Sequence, residues 1–117
     1  MGIHETSGIE DLTKVTAVTE SARLNICIHG LHETGITTCA ANKFASTLPN
    51  LDDSIQYMSH LQEIDILKRP DLTLFVDTLP TLDGPGLSFE IHHEVIIEAK
   101  ERYIIHKMLI NQISISK

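Results

Sequence analysis

The feature that most constrains the fold is a glycine-bounded loop between a strand pattern and a helix pattern. Residues 24–29 alternate apolar and polar side chains and stop at Gly30, which predicts a β-strand. The loop ends at Gly35, and apolar residues at helical spacing predict a helix over about 37–48. The sequence therefore predicts a strand–loop–helix unit near the start of the folded part.

Further helix and strand patterns follow this unit along the chain. They predict a helix over about 50–66, a strand over 72–77, a loop over 78–86, a helix over about 87–102 and a closing strand over 104–115. The order β-α-α-β-α-β favours a parallel sheet with helices on its faces and right-handed crossovers. The predicted fold class is α/β, a small three-layer parallel sheet with flanking helices.

The first part of the chain differs in composition from the rest. Residues 1–21 are rich in Thr, Ser and Glu and have only a faint helical pattern, so we expect an extension that is partly helical or mobile. Residues 22–117 are predicted to form the α/β domain. A chain of 117 residues has room for one such compact domain.

Charge and composition argue against several classes of function. Nine Lys and Arg against sixteen Asp and Glu give a net charge of −7, which disfavours a broad nucleic-acid surface. No apolar stretch approaches the roughly 20 residues that span a bilayer, so no membrane contact is expected. The N-terminal residues lack the pattern of a secretory signal, and Cys27 and Cys39 fit a reduced compartment. We therefore expect a cytoplasmic protein.

The loop between Gly30 and Gly35 has the glycine spacing of a phosphate-binding loop. Such glycines let successive backbone N–H groups face an anion at a helix N-terminus. The loop also requires a Lys, which contacts the β- and γ-phosphates, and then a Ser or Thr, which holds magnesium. Thr37 occupies the hydroxyl position, but Ile36 stands where the Lys is required. A tight strand-to-helix turn without a ligand is the open alternative.

Several segments resemble thymidylate kinases. Residues 30–38 resemble the Gly-Leu-Asp-x-x-Gly-Lys-Thr-Thr loop of that family, and residues 69–77 are similar to its Lys-Pro-Asp-Leu-Thr-Leu-x-Leu-Asp strand. Residues 86–90 are similar to part of the helix after its lid, and residues 106–110 resemble its closing strand. The resemblance implies a P-loop nucleoside monophosphate kinase fold that is reduced in size.

The resemblance also implies which residues would hold a nucleotide, namely the loop and the first turn of the helix. The implied phosphate-binding residues are Gly30, His32, Glu33, Thr34, Gly35, Ile36, Thr37 and Thr38. A magnesium ion would lie beside Thr37 and Asp77, although a cap of the following turn is an open alternative role for Asp77. The implied cofactor is therefore ATP or another nucleotide with magnesium, and no residue is assigned as catalytic.

The cations that a kinase needs are missing from the matching positions. Ile36 replaces the loop Lys, residues 78–85 at the lid position contain no Arg or Lys, and the family's Asp-Arg-Tyr motif has no counterpart. Phosphoryl transfer depends on positioning and on stabilising charge, so the loss of such cations costs orders of magnitude in rate. The predicted function is a degenerate, non-catalytic thymidylate-kinase-like protein with at most residual nucleotide or phosphate binding. It would act through contacts with a protein partner or a second copy.

Two enzymatic alternatives stay open. The first is an active dTMP kinase whose cations come from a partner subunit. The second rests on residues 34–39, which resemble the Thr-Gly-Ile-Ala-Thr-Ser stretch of galactitol-type phosphotransferase IIB domains. In that family a Cys three residues before the Gly carries the phosphoryl group, and His32 occupies this place here. This second resemblance implies a phosphocarrier.

Overall fold

The computed structural model describes residues 1–30, 33–58, 61–75 and 77–115, which form helices and short strands. The helices are α1 (Ile9–Ser21), α2 (Gly35–Ala45) and α3 (His93–Ile115), with 3-10 turns at Ile3–Thr6 and Leu72–Leu74. The strands are β1 (Ile26–His29), β2 (Leu51–Gln56), β3 (Leu67–Arg69) and β4 (Glu90–Ile91).

The parallel pairing of β1 with β2 forms the centre of the fold. Ile28 lies opposite Ile55, and the register shifts once between Ile26 and Ile28. The ladder is extended at both ends, because Ile26 N donates to Asn50 O at 2.9 Å and Gly30 N donates to Gln56 O at 2.8 Å. α2 connects the two strands. The chain is therefore a mixed α/β protein, in agreement with the predicted class.

The sheet is smaller than expected from the sequence. In the part of the chain that the structure describes, the parallel sheet has two strands, and β3 pairs with β4 in a separate antiparallel ladder. The wider parallel sheet required two further strands, over 72–77 and 104–115. Neither range contains a strand among its described residues.

The core joins the first helix to the strand–loop–helix unit. Its buried cluster contains one residue from α1, two from β1 and three from α2: Leu12, Ile26, Ile28, Ala41, Phe44 and Ala45. The backbone of Met1 also bonds to β1, since its amino group donates to Cys27 O at 2.8 Å and its carbonyl accepts from His29 N at 3.0 Å. The first 21 residues thus pack against the same core as β1.

The predicted helix over 50–66 is wrong, because its first part is the strand β2. Leu51 and Ile55 are four residues apart, a spacing that fits one face of a helix and equally one face of a strand. Both side chains pack against the core cluster from the strand. Residues 51–56 form a strand because the edge of β1 beside them supplies backbone hydrogen-bond donors and acceptors that an isolated segment lacks.

The predicted strand over 72–77 is also wrong. Leu72–Leu74 form a 3-10 turn that Asp71 closes, since its Oδ1 accepts from Thr73 N at 3.0 Å and from Thr73 Oγ1 at 2.6 Å. Asp side chains that bond to the backbone two residues later are typical of such turns. Val76 lies outside the described residues.

The C-terminal part forms one long helix where a helix and a strand are expected. α3 begins at His93 rather than near residue 87, because Glu90 and Ile91 pair with β3 first. It then continues through the predicted strand over 104–115. No Gly or Pro interrupts residues 87–115, and intrahelical hydrogen bonds satisfy the backbone without a neighbouring strand.

Replacing Leu12 tests whether α1 belongs to the core. Leu12 is 0% exposed, so Leu12→Ala is expected to lower the free energy of unfolding by about 2–5 kcal/mol. Val18→Ala on the same helix is the control, because Val18 is 69% exposed and its loss should change stability by under about 0.5 kcal/mol. Urea denaturation measures both. Equal midpoints for the two variants would contradict the packing of α1.

Candidate functional site

The loop after β1 leads to the N-terminus of α2, where the sequence predicts an anion site. α2 begins at Gly35, and Thr34 is its N-cap residue in an extended conformation. The Thr34 side chain makes no capping hydrogen bond, while its carbonyl accepts from Thr37 N at 3.0 Å. The first N–H groups of α2 therefore depend on another group for a partner.

Asp65 supplies that partner. Gly35 N donates to both carboxylate oxygens of Asp65, at 3.0 Å each, and Ile66 N donates to Oδ1 at 2.7 Å. A carboxylate at a helix N-terminus is favoured by the helix dipole and by the unpaired N–H groups. A Cβ at Gly35 would collide with Asp65, so glycine is needed for this close approach. The protein's own carboxylate thus lies where a phosphate would accept from Gly35.

Glu33 lies at the other end of the loop. A Cβ at Gly30 would collide with the Glu33 carboxylate, which therefore lies directly against the Gly30 backbone. Gln62 Nε2 donates to the Glu33 carbonyl at 2.6 Å and ties this part of the loop to the segment before Asp65. Two carboxylates consequently approach the backbone at the two glycines, and both would repel a phosphate.

A magnesium nucleotide does not fit the described residues of the loop, which are 30 and 33–35, together with the start of α2. Ile36 contributes no charge at the Lys position, and the Asp65 and Glu33 carboxylates bring negative charge to the loop. Lys43, in the last turn of α2, donates to Gly84 O. Over the described ranges no group of three or more His, Cys, Asp or Glu side chains could hold a metal ion.

The remaining residues that the resemblance implies as phosphate or magnesium ligands do not lie together at one site. Ile36 and Thr37 are half-buried in the first turn of α2, and His32 lies outside the described residues. Thr38 is buried, and it lines a cavity of about 190 Å³ together with Asp77. The structure therefore brings Thr38 and Asp77 to one cavity, and Thr37 is not among its lining residues.

The sequence interpretation missed Asp65. The predicted helix over about 50–66 includes Asp65, and an acidic side chain on such a helix is expected to face solvent. Asp65 is 30 residues from Gly35 along the chain, so no local pattern connects the two. Only the packing of this segment against the loop reveals the contact.

Cys39, one residue after Thr38, is buried and interacts electrostatically with the Asp65 carboxylate. Burial, and secondarily the Asp65 carboxylate, raise the pKa of the Cys39 thiol to about 11. Cys27, in contrast, is exposed on β1. Because the thiolate is the reactive form, the structure separates an unreactive thiol from an accessible one.

No family model matches the chain, and no curated protein matches it. None of the helices among the described residues combines the length and apolar character needed to cross a membrane. The fold and the site together define a mixed α/β protein with a strand–loop–helix unit whose loop is approached by two of its own carboxylates.

Replacing Asp65 tests its role at the N-terminus of α2. Asp65→Ala is expected to lower the free energy of unfolding by about 1–2 kcal/mol, because it leaves Gly35 N without its partner. Inorganic phosphate should raise the melting temperature of this variant more than that of the parent chain, since it can take the vacated position. Asp83→Ala, at an exposed position, is the control. Unchanged stability of Asp65→Ala would contradict this contact.

The two cysteines should differ in reactivity and in their effect on stability at high pH. In the native protein at pH 8, a thiol reagent should label Cys27 and leave Cys39 protected until unfolding. The unfolded chain loses the Cys39 proton near the ordinary pKa of 9.0, whereas the folded chain keeps it to about 11. Stability should therefore fall as pH rises through this window, and less steeply in Cys39→Ala. Equal labelling rates for both thiols would refute the assignment.

Proposed function

We propose that this chain is a non-catalytic protein-interaction module with a thymidylate-kinase-like strand–loop–helix unit, in which α3 is the contact element. The observation that carries the proposal is the exposed apolar surface of α3. The loop supports the non-catalytic part, because Asp65 and Glu33 lie where phosphates and their counter-charges would be required. The order β1, loop and α2, with β2 parallel to β1, supports the likeness to thymidylate kinases. Residues 72–77 give it no support.

α3 extends beyond the rest of the chain. It has 23 residues, a length of about 34 Å at 1.5 Å per residue. The radius of gyration is 17.5 Å, compared with about 13 Å for a compact domain of this size. Large apolar side chains from Ile96 to Ile113 are exposed at intervals along the helix. A helix that is apolar on several sides is normally buried, so α3 has the surface of an element that packs in an assembly.

One apolar stripe of α3 is distinguished by its charged neighbours. At 3.6 residues per turn one side of the helix carries the α3 stripe, defined as Val95, Ala99, Tyr103, Ile110 and Ile113, with His106 on the same side between Tyr103 and Ile110. The nearest charged residues on one flank are Lys100 and Lys107, and those on the other flank are Arg102 and, farther from the stripe, Glu98. The acidic residues Glu94 and Glu101 lie on the opposite side of the helix.

Three of these four flanking charges are basic, which indicates what kind of partner fits. If two copies paired along the α3 stripe, Lys100, Arg102 and Lys107 of both copies would border the same seam in either orientation. Like charges at these positions disfavour such pairing. Acidic flanks on the partner would instead be complementary. We therefore assign the α3 stripe to a partner segment that is an amphipathic helix with an apolar face and acidic flanks.

Binding of designed peptides to the full chain tests this assignment. A leucine-seam helical peptide with Glu flanks is expected to bind at least about tenfold more tightly than the same peptide with Lys flanks. Ile110→Ser should weaken binding of the Glu-flanked peptide by about tenfold, because it removes apolar area from the α3 stripe. Met108→Ser is the matched control on the opposite side of the helix. Fluorescence anisotropy measures affinity, and circular dichroism verifies that α3 remains helical.

Three results would overturn the proposal. Equal affinity for both peptides would show that the charges beside the α3 stripe do not select an acidic partner. A stable dimer of the parent chain that Ile110→Ser dissociates would assign the α3 stripe to a second copy. Turnover of ATP and dTMP by the chain, alone or with a captured subunit, would show that the protein is an active kinase and not a non-catalytic module.

A further inference from the structure

The cavity at the start of α2 has a composition that suits a ligand, independently of α3. Its volume is about 190 Å³, far more than the 10–15 Å³ or so that one water requires. The walls come from α2, from β2 and the residue after it, and from the segment that follows the 3-10 turn. The lining residues are Thr38, Ile55, Tyr57, Asp77, Thr78 and Leu79.

We propose that this cavity binds a small organic ammonium ion, with the Asp77 carboxylate as its counter-charge. Asp77 is the only residue of the lining set that is charged at neutral pH. A cavity whose single formal charge is negative attracts a cation, and the net charge of −7 on the chain acts in the same direction. An anion such as a phosphate is disfavoured at this position for the same reason.

Thr38 provides a second reason to expect a ligand with N–H donors. Its side chain is 1% exposed, and within the described ranges its Oγ1 has no hydrogen-bond partner. Buried hydroxyl groups are nearly always hydrogen-bonded, so an unpaired one in the wall of a cavity needs an explanation. A ligand with several N–H donors suits both this oxygen and the Asp77 carboxylate, because both are acceptors on residues that line the cavity.

The remaining walls favour an organic cation over a metal ion. Ile55 and Leu79 are apolar, and they match an alkyl or aryl group rather than a hydrated ion. Tyr57 contributes an aromatic ring, and its hydroxyl group donates to Phe75 O, which holds the ring in place. Aromatic rings attract organic ammonium groups through cation–π contact. Mg²⁺, in contrast, prefers a nearly complete shell of oxygen ligands.

Titration of the full chain with n-pentylammonium chloride, followed by ¹H–¹⁵N correlation NMR, tests the proposal. Shift changes are expected at the backbone amides of Thr38, Tyr57 and Leu79. Saturation is expected at roughly millimolar ligand or below, as for a ligand of about six non-hydrogen atoms. 1-Pentanol and pentanoate have the same number of carbon atoms without the positive charge, and each should bind at least about tenfold more weakly. MgCl₂ alone should neither produce the same shifts nor displace n-pentylammonium.

Variants assign the interaction to particular groups. Asp77→Asn should weaken n-pentylammonium binding by about tenfold or more, because it removes the counter-charge. Thr38→Val keeps a similar shape without the hydroxyl and should weaken binding several-fold. Asp83→Asn, at another exposed acidic position, should leave binding unchanged. The spectra show directly whether each variant remains folded.

Several outcomes would refute the site. Wild-type spectra that do not change at millimolar n-pentylammonium would do so directly. Equal binding of 1-pentanol would show that only the apolar wall is used. An unchanged affinity of Asp77→Asn would show that Asp77 is not the counter-charge. Displacement of n-pentylammonium by MgCl₂ would assign the cavity to a metal ion.

Discussion

The parallel pairing of β1 with β2 is the constraint on which the other contacts depend. It places Ile28 and Ile55 side by side, and it lets α1 and α2 close over one apolar cluster. It also determines where the loop after β1 ends, because Gly30 N donates to Gln56 O at the end of the ladder. The loop, the first turn of α2 and the cavity beside it are therefore positioned by a ladder of only a few hydrogen bonds.

Two carboxylates give the loop its chemical character. Asp65 meets the backbone of Gly35, and Glu33 meets the backbone of Gly30, each at a position where a Cβ would collide. In this chain the glycines therefore make room for the protein's own acidic side chains. The same loop spacing that suits a phosphate thus suits an intramolecular cap, because both are anions that accept from a helix N-terminus. Glycine spacing by itself does not distinguish the two.

α3 differs from the rest of the chain in how little of its apolar surface is covered. α2 buries its apolar side chains in the core cluster, whereas α3 keeps apolar groups in contact with solvent from Ile96 to Ile113. Exposed apolar surface on this scale is typical of an element that packs against another chain. In the proposed docking mode the charges beside the α3 stripe limit the choice of partner, because three of the four nearest ones are basic.

The sequence by itself determined the strand–loop–helix unit, since β1 and α2 each have a clear apolar period and glycines bound the loop between them. It did not determine β2, because Leu51 and Ile55 fit both periods and only the edge of β1 selects the strand. It also could not reveal Asp65 at Gly35, a contact that spans 30 residues. Local patterns specify which backbone conformations are favourable. Contacts between distant segments decide which of them forms and which side chains meet, because only packing brings those groups within reach.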